Sequence, residues 1–128
     1  MDKNEIRALA EGQREYMVSL RREFHRHPEV AGDEGWTSAR IAQELTALGI
    51  PFVVDERRNV IGRIEGARPG KRLALRADFD ALPMPEATGL PFASENPGVM
   101  HACGHDGHTA GLLGAAKLLW GMRGQLAG

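Results

Sequence analysis

At 128 residues, with 42% hydrophobic and 26% charged side chains, the chain has the size and composition of one globular domain with a real core. A formal net charge of −1, with basic residues scattered among acidic ones, offers no footprint for nucleic acid or an anionic membrane. No run approaches a membrane span, the charged start Met-Asp-Lys-Asn-Glu is unlike a signal peptide, and the single cysteine excludes an internal disulfide, so a cytoplasmic protein is expected.

The first predicted element is a helix from about Asn4 to His25, with Ile6, Leu9, Ala10, Met17, Leu20 and Phe24 at helical spacing. Gln13 interrupts this stripe, and the helix stops before Pro28, because a residue preceding proline is driven out of helical geometry. A second helix runs from Trp36 or Thr37 to Leu48, buries Ile41, Leu45 and Leu48, and ends on Gly49 and Pro51. Three strand candidates follow: Phe52 to Val54, a weak one over Asn59 to Ile64, and Arg72 to Asp78 with good alternation. Asp80 to Met100 reads as a long loop rich in proline and glycine, of the kind that carries function or wraps a neighbour. The last element is a helix from Gly107 to about Gln125 whose middle is apolar on nearly every face except Lys117, a pattern made for burial on both sides. This order predicts an α/β sandwich, with Asp78 and Asp80 at the carboxyl end of its best strand, where ligand sites of open α/β sheets gather.

The segment His101-Ala-Cys-Gly-His-Asp-Gly-His108 concentrates metal-capable groups at the entrance to that helix: the only cysteine, three of the five histidines and an aspartate. Thiolate and imidazole are the preferred ligands of zinc and similar divalent ions. Cys103 and His105, two residues apart, can serve one ion together or one ion each, with His101 and His108 flanking them. Rival readings are a buried packing thiol beside helix-capping histidines, and a Cys103 nucleophile activated by histidine. Asp78 and Asp80 are candidates to bind an ion directly or to accept a hydrogen bond from a ligating imidazole; turn formation is the plainer alternative. His25 and His27, at a helix C-terminus, read as structural.

Four stretches together are specific: Arg21-Arg-Glu-Phe-His-Arg-His-Pro-Glu29, Leu75-Arg-Ala-Asp-Phe-Asp-Ala-Leu-Pro-Met-Pro-Glu86, Thr88-Gly-Leu-Pro-Phe-Ala-Ser94, and Pro97-Gly-Val-Met-His-Ala-Cys-Gly-His-Asp-Gly-His-Thr109. In order and spacing, from about Arg21 to Gly128, the chain resembles the N-terminal part of the hippurate hydrolase branch of the aminoacylase and carboxypeptidase metallohydrolases. That branch includes N-acyl-amino-acid and indole-acetyl-amino-acid amidohydrolases. The resemblance implies a three-layer α/β sandwich of zinc-peptidase type, with residues 1–128 forming the N-terminal portion of the catalytic domain. It implies Cys103 and His105 as ligands in a two-metal site holding zinc, manganese, nickel or cobalt. Asp78 and Asp80 would lie beside it, Asp80 in an orienting role, and His101, Asp106 and His108 would surround the ligands. The implied reaction is hydrolysis of the amide of a small hippurate-like N-acyl amino acid, in which the metal polarises the carbonyl and acidifies water while a glutamate shuttles the proton.

By the same resemblance, family members are roughly three times this length, against a prior of about one domain per 150 residues. The base glutamate, in a Gln-Pro-Ala-Glu-Glu-like segment, a further glutamate, two histidines and the lid domain all come later. The expectation is therefore a fragment without activity of its own. The alternatives are a non-catalytic remnant that binds metal weakly or pairs with another chain through its apolar helix, and a thiol-dependent hydrolase. Homo-oligomerisation is left open: relatives often dimerise through the lid, so that inference does not transfer to these residues. A smaller departure is Arg57-Arg58-Asn59, which stands where relatives usually have a glycine-rich turn.

Overall fold

A computed structural model describes residues 2–128. The first helix of the sequence reading is two helices, α1 (Lys3–Glu11) and α2 (Arg14–Arg26), divided at Gly12 and Gln13. Glycine is about 1 kcal/mol worse than alanine inside a helix, and the polar Gln13 offers no apolar contact to carry the stripe across it. Asp2 starts α1 with a reciprocal cap: its carboxylate accepts from the Asn4 and Glu5 amides, and Glu5 accepts from the Asp2 amide. No residue of α1 is buried, whereas α2 sinks Leu20, Phe24 and His25.

Helix α3 (Gly35–Leu48) begins shortly after Glu29, whose carboxylate accepts from the Trp36 and Thr37 amides at 3.0 and 2.7 Å and from the Thr37 hydroxyl at 2.7 Å. A side chain from outside the helix thus satisfies two of the amides that a helix start leaves free. Gly49 ends α3 at φ 76°, and the Ile50 amide returns to the Leu45 carbonyl.

Strands β1 (Phe52–Val54) and β2 (Val60–Gly62) form an antiparallel hairpin, with Phe52 opposite Gly62 and Val54 opposite Val60. The second strand is shorter than the Asn59–Ile64 stretch predicted. Gly62 marks its end and packs beside Leu45 and Ile50, where a Cβ would make ordinary contact at 3.4 Å from the Leu45 methyl. In the turn, Asp55 accepts from the Arg57 and Asn59 amides. Arg58 takes the left-handed conformation at φ 67°, which glycine adopts at less cost. Two links hold it there: Arg58 Nη1 donates to the Gly32 carbonyl at 2.6 Å, and the Ser38 hydroxyl donates to the Arg58 carbonyl at 2.8 Å. Tertiary anchoring replaces the glycine-rich turn of the resemblance.

The predicted strand over Arg72 to Asp78 is not formed. Among the described residues, β1 and β2 make the only sheet, and Leu73 stands 84% exposed. A strand exists through pairing with a neighbour, and alternation alone cannot supply one. The following loop does wrap α2 as expected. Ala81 donates to the Glu29 carbonyl, Glu95 donates to the Arg26 carbonyl, and Leu82 and Met100 exchange backbone hydrogen bonds across the loop.

Helix α4 (His105–Gly121) starts two residues earlier than predicted and is followed by a 3₁₀ turn, Arg123–Gln125. It packs on α2, with smaller contacts to α1 and α3, and Gly114 lets it approach so closely that a Cβ there would meet the Met17 sulfur at 2.6 Å. Burial on all sides does not occur: Ala110, Leu113 and Gly114 are buried, and the last two turns are half-exposed. One core results, from Leu20, Phe24, Ile41, Leu45, Ile50, Ala110 and Leu113 of α2, α3, the α3–β1 connection and α4. Among the described residues, no helix is long and apolar enough to cross a membrane.

Candidate metal centre

The start of α4 faces the segment that carries the two aspartates. Gly104, at φ 107°, turns the chain between Cys103 and the helix, so His105 occupies the first helical position. The His105 Nδ1–H donates to Asp80, reaching its carboxylate at 2.9 Å and its carbonyl at 3.0 Å. That fixes the tautomer and leaves the Nε2 lone pair free, the usual preparation of an imidazole for a metal. Nε2 lies 3.6 Å from Asp78 Oδ2. The gap is too long for a hydrogen bond, yet close to the span of about 3.4 Å between two ligands on one tetrahedral ion with bonds of about 2.1 Å. The other Asp78 oxygen accepts from His108 Nδ1 at 2.7 Å, and the His108 ring stacks on His105 with centroids 5.4 Å apart. Thr109 joins the two segments, its hydroxyl lying 3.1 Å from the Asp78 carbonyl and 2.9 Å from the His105 carbonyl. The hydrogen bond from His108 holds the Asp78 carboxyl below its usual range.

Among the described residues, Asp78, His105 and His108 are the group whose ligand atoms come within 4.8 Å of one another. Cys103 lies outside that group, and its thiol is free and exposed. Exposure removes the reading of Cys103 as a buried packing thiol and leaves the sulfur accessible beside the site. Imidazole nitrogens and a carboxylate brought together in this way are donors suited to zinc or another borderline divalent ion.

Asp106 and His101 face elsewhere. The Asp106 carboxylate is buried against α2, where it accepts from Arg21 Nε at 2.8 Å and His25 Nδ1 at 2.7 Å. His101 is 4% exposed with neither ring nitrogen hydrogen-bonded, and its ring lies 6.3 Å from that of His25. Burial pushes the His101 imidazole down, against the pull of Asp106. His27 stacks on Trp36 at 4.2 Å and donates to the Glu23 carbonyl, the structural role expected of it. The residue that sequence reasoning undervalued is His25. Its other nitrogen donates to Glu86 at 2.9 Å, so one ring ties α2, α4 and the long loop together. The only signal was its place in the Arg21–Glu29 stretch.

Residues 74–127 match the model of peptidase family M20/M25/M40. The N-acyl-L-amino acid amidohydrolase of Geobacillus stearothermophilus is 42% identical over 129 aligned positions, covering 100% of this chain and 35% of that protein. The N-acetyl-L-cysteine deacetylase of Bacillus subtilis is 48% identical over 104, covering 80% of this chain and 25% of the relative. Among solved structures, the Bacillus subtilis YxeP protein, described as a dinuclear metal-binding peptidase of the M20 family, superposes with a TM-score of 0.86 at 41% identity. That match covers 95% of this chain and 34% of YxeP. The chain belongs to the M20 peptidase family. The M20 assignment fits the α/β architecture, helices with one small sheet packed on α3, as the N-terminal part of the family's catalytic fold. The chain spans about a third of the length of the curated relatives it matches, 32% and 35% of the first two.

Proposed function

We propose that this M20 chain carries part of the metal centre of an amidohydrolase that cleaves small N-acyl amino acids, hippurate-like ones included. The observation that carries the reading is His105 itself: Asp80 holds its Nδ1–H, and its free Nε2 faces Asp78 across 3.6 Å. His105 and Cys103 are the proposed ligands, with Asp78 contributing an oxygen, Asp80 orienting the His105 ring and His108 steadying Asp78. The ion, one of two in a complete site and of the zinc, manganese, nickel or cobalt type, would supply Lewis acidity to polarise an amide carbonyl and make water more acidic. Residues 1–128 act in this reading as the N-terminal portion of the catalytic domain, in the cytoplasm. Turnover needs a proton-shuttling glutamate and further ligands beyond the groups assembled here, so the chain alone is inactive.

The test is metal content. Purified chain equilibrated with zinc and desalted should retain it, and His105→Ala and Cys103→Ser should each lower retention by at least about tenfold. Equal retention by all three proteins refutes the assignment. Hydrolysis that resists chelators but is abolished by thiol alkylation would transfer the chemistry to the Cys103 sulfur. A second reading, a non-catalytic chain that associates with itself or another polypeptide, draws on the exposed apolar side chains of Val53, Ile61 and Leu73. Sedimentation analysis would show it as a concentration-dependent increase in mass.

A further inference from the structure

We infer that His25, on α2 and outside the metal centre, is a positioning residue that sets the direction in which His105 points. The inference rests on the metal reading for its purpose and on separate geometry for its content. The His25 ring is buried between two carboxylates, Asp106 at 2.7 Å and Glu86 at 2.9 Å. Each carboxylate meets a different ring nitrogen, so both polar atoms of the ring are engaged and its orientation is fixed from two sides. Arg21 adds a guanidinium on Asp106, so that two carboxylates, an imidazole and a guanidinium share one buried polar group. Such a group is stable only while complete, because removing one member strands the others' charge away from water.

Asp106 is the residue after His105, and both lie in the first turn of α4. Neighbours on a helix point about 100° apart, so fixing one side chain fixes the rotation of the turn and hence the other. Asp106 is held from three sides: by Arg21, by His25 and, through its second oxygen, by the Gly107 amide at 2.9 Å. A side-chain tip about 6 Å from the helix axis moves about 1 Å when the turn rotates by about 10°. Metal–ligand distances tolerate about 0.2 Å. The same ring secures the loop as well, since Glu86 also accepts from the Thr88 hydroxyl and the Ser94 amide. His25 therefore links the helix that bears His105 to the loop that begins at Asp80.

Two readouts on the full chain test this. In metal-free protein, nitrogen NMR of the imidazoles should show His105 protonated at Nδ1 and bonded to Asp80. His25→Gln and Asp106→Asn should both convert it to a tautomer mixture. Zinc affinity should fall by about tenfold or more in both variants, as for residues that orient metal ligands. Leu45→Ala, which destabilises the core through α3, should keep affinity within about twofold, separating orientation from stability. If either variant does not fold, the other reads the same link. An unchanged His105 tautomer in a folded variant overturns the inference, as does an equal loss of affinity in Leu45→Ala. If the unaltered chain takes up no zinc, the metal reading fails and the NMR result alone decides the positioning role.

Discussion

Glu86 makes the buried group sensitive to acid, and the effect can be sized. Burial pushes its carboxyl up, but hydrogen bonds from Thr88, His25 and the Ser94 amide outweigh that and hold it down at about 2, against an ordinary 4.5. The side chain is 4% exposed, so solvent screens these contacts little. At about 1.4 kcal/mol for each tenfold change in proton affinity, the difference amounts to about 3 kcal/mol of stability. Because the folded-state value is the depressed one, that contribution is complete above the unfolded value of 4.5 and is lost as pH falls toward about 2. Other carboxylates titrate in the same window, so the informative quantity is a difference between proteins. Glu86→Gln keeps an oxygen acceptor but no longer titrates. Urea unfolding followed by the fluorescence of Trp36 and Trp120 should find the variant less stable near neutrality. The gap to the unaltered protein should narrow by about 2 kcal/mol between about pH 6 and about pH 3. A gap that stays constant over that interval would refute the placement of an ionised Glu86 against His25.

Two further substitutions test the scaffold. Phe24→Ala removes a core ring that is 1% exposed and meets Trp36 edge-on, and should cost about 3–5 kcal/mol in denaturant unfolding; a loss below about 1 kcal/mol would contradict the packing. Gly49→Ala meets no atom closer than 3.8 Å but must adopt φ 76°, so it should lower stability by about 1 kcal/mol with no change in metal retention. An unchanged midpoint would mean that α3 ends differently.

Local rules carried the outlines of the helices and the hairpin, because Gly49, Pro28 and Pro51 act over a few residues and apolar spacing reports which face is covered. Donor chemistry offered Cys103, His105, Asp78 and Asp80 as candidates, and the fold brings Asp78 and His105 together with His108. Local reasoning failed where a long-range partner decides. Alternation over 72–78 matches a strand, but pairing is a property of two segments, and among the described residues none pairs with it as a strand. Apolar spacing also did not show that α2 takes the main surface on α4 while α1 buries no residue. His25 meets Asp106 across 81 residues and Glu86 across 61, and no spacing rule reaches that far. Which oxygen faces which nitrogen around His105 was likewise settled only when the helix start docked against the aspartates. Ligand type follows from composition along the chain, whereas ligand direction follows from rigid elements locked together by contacts distant in sequence.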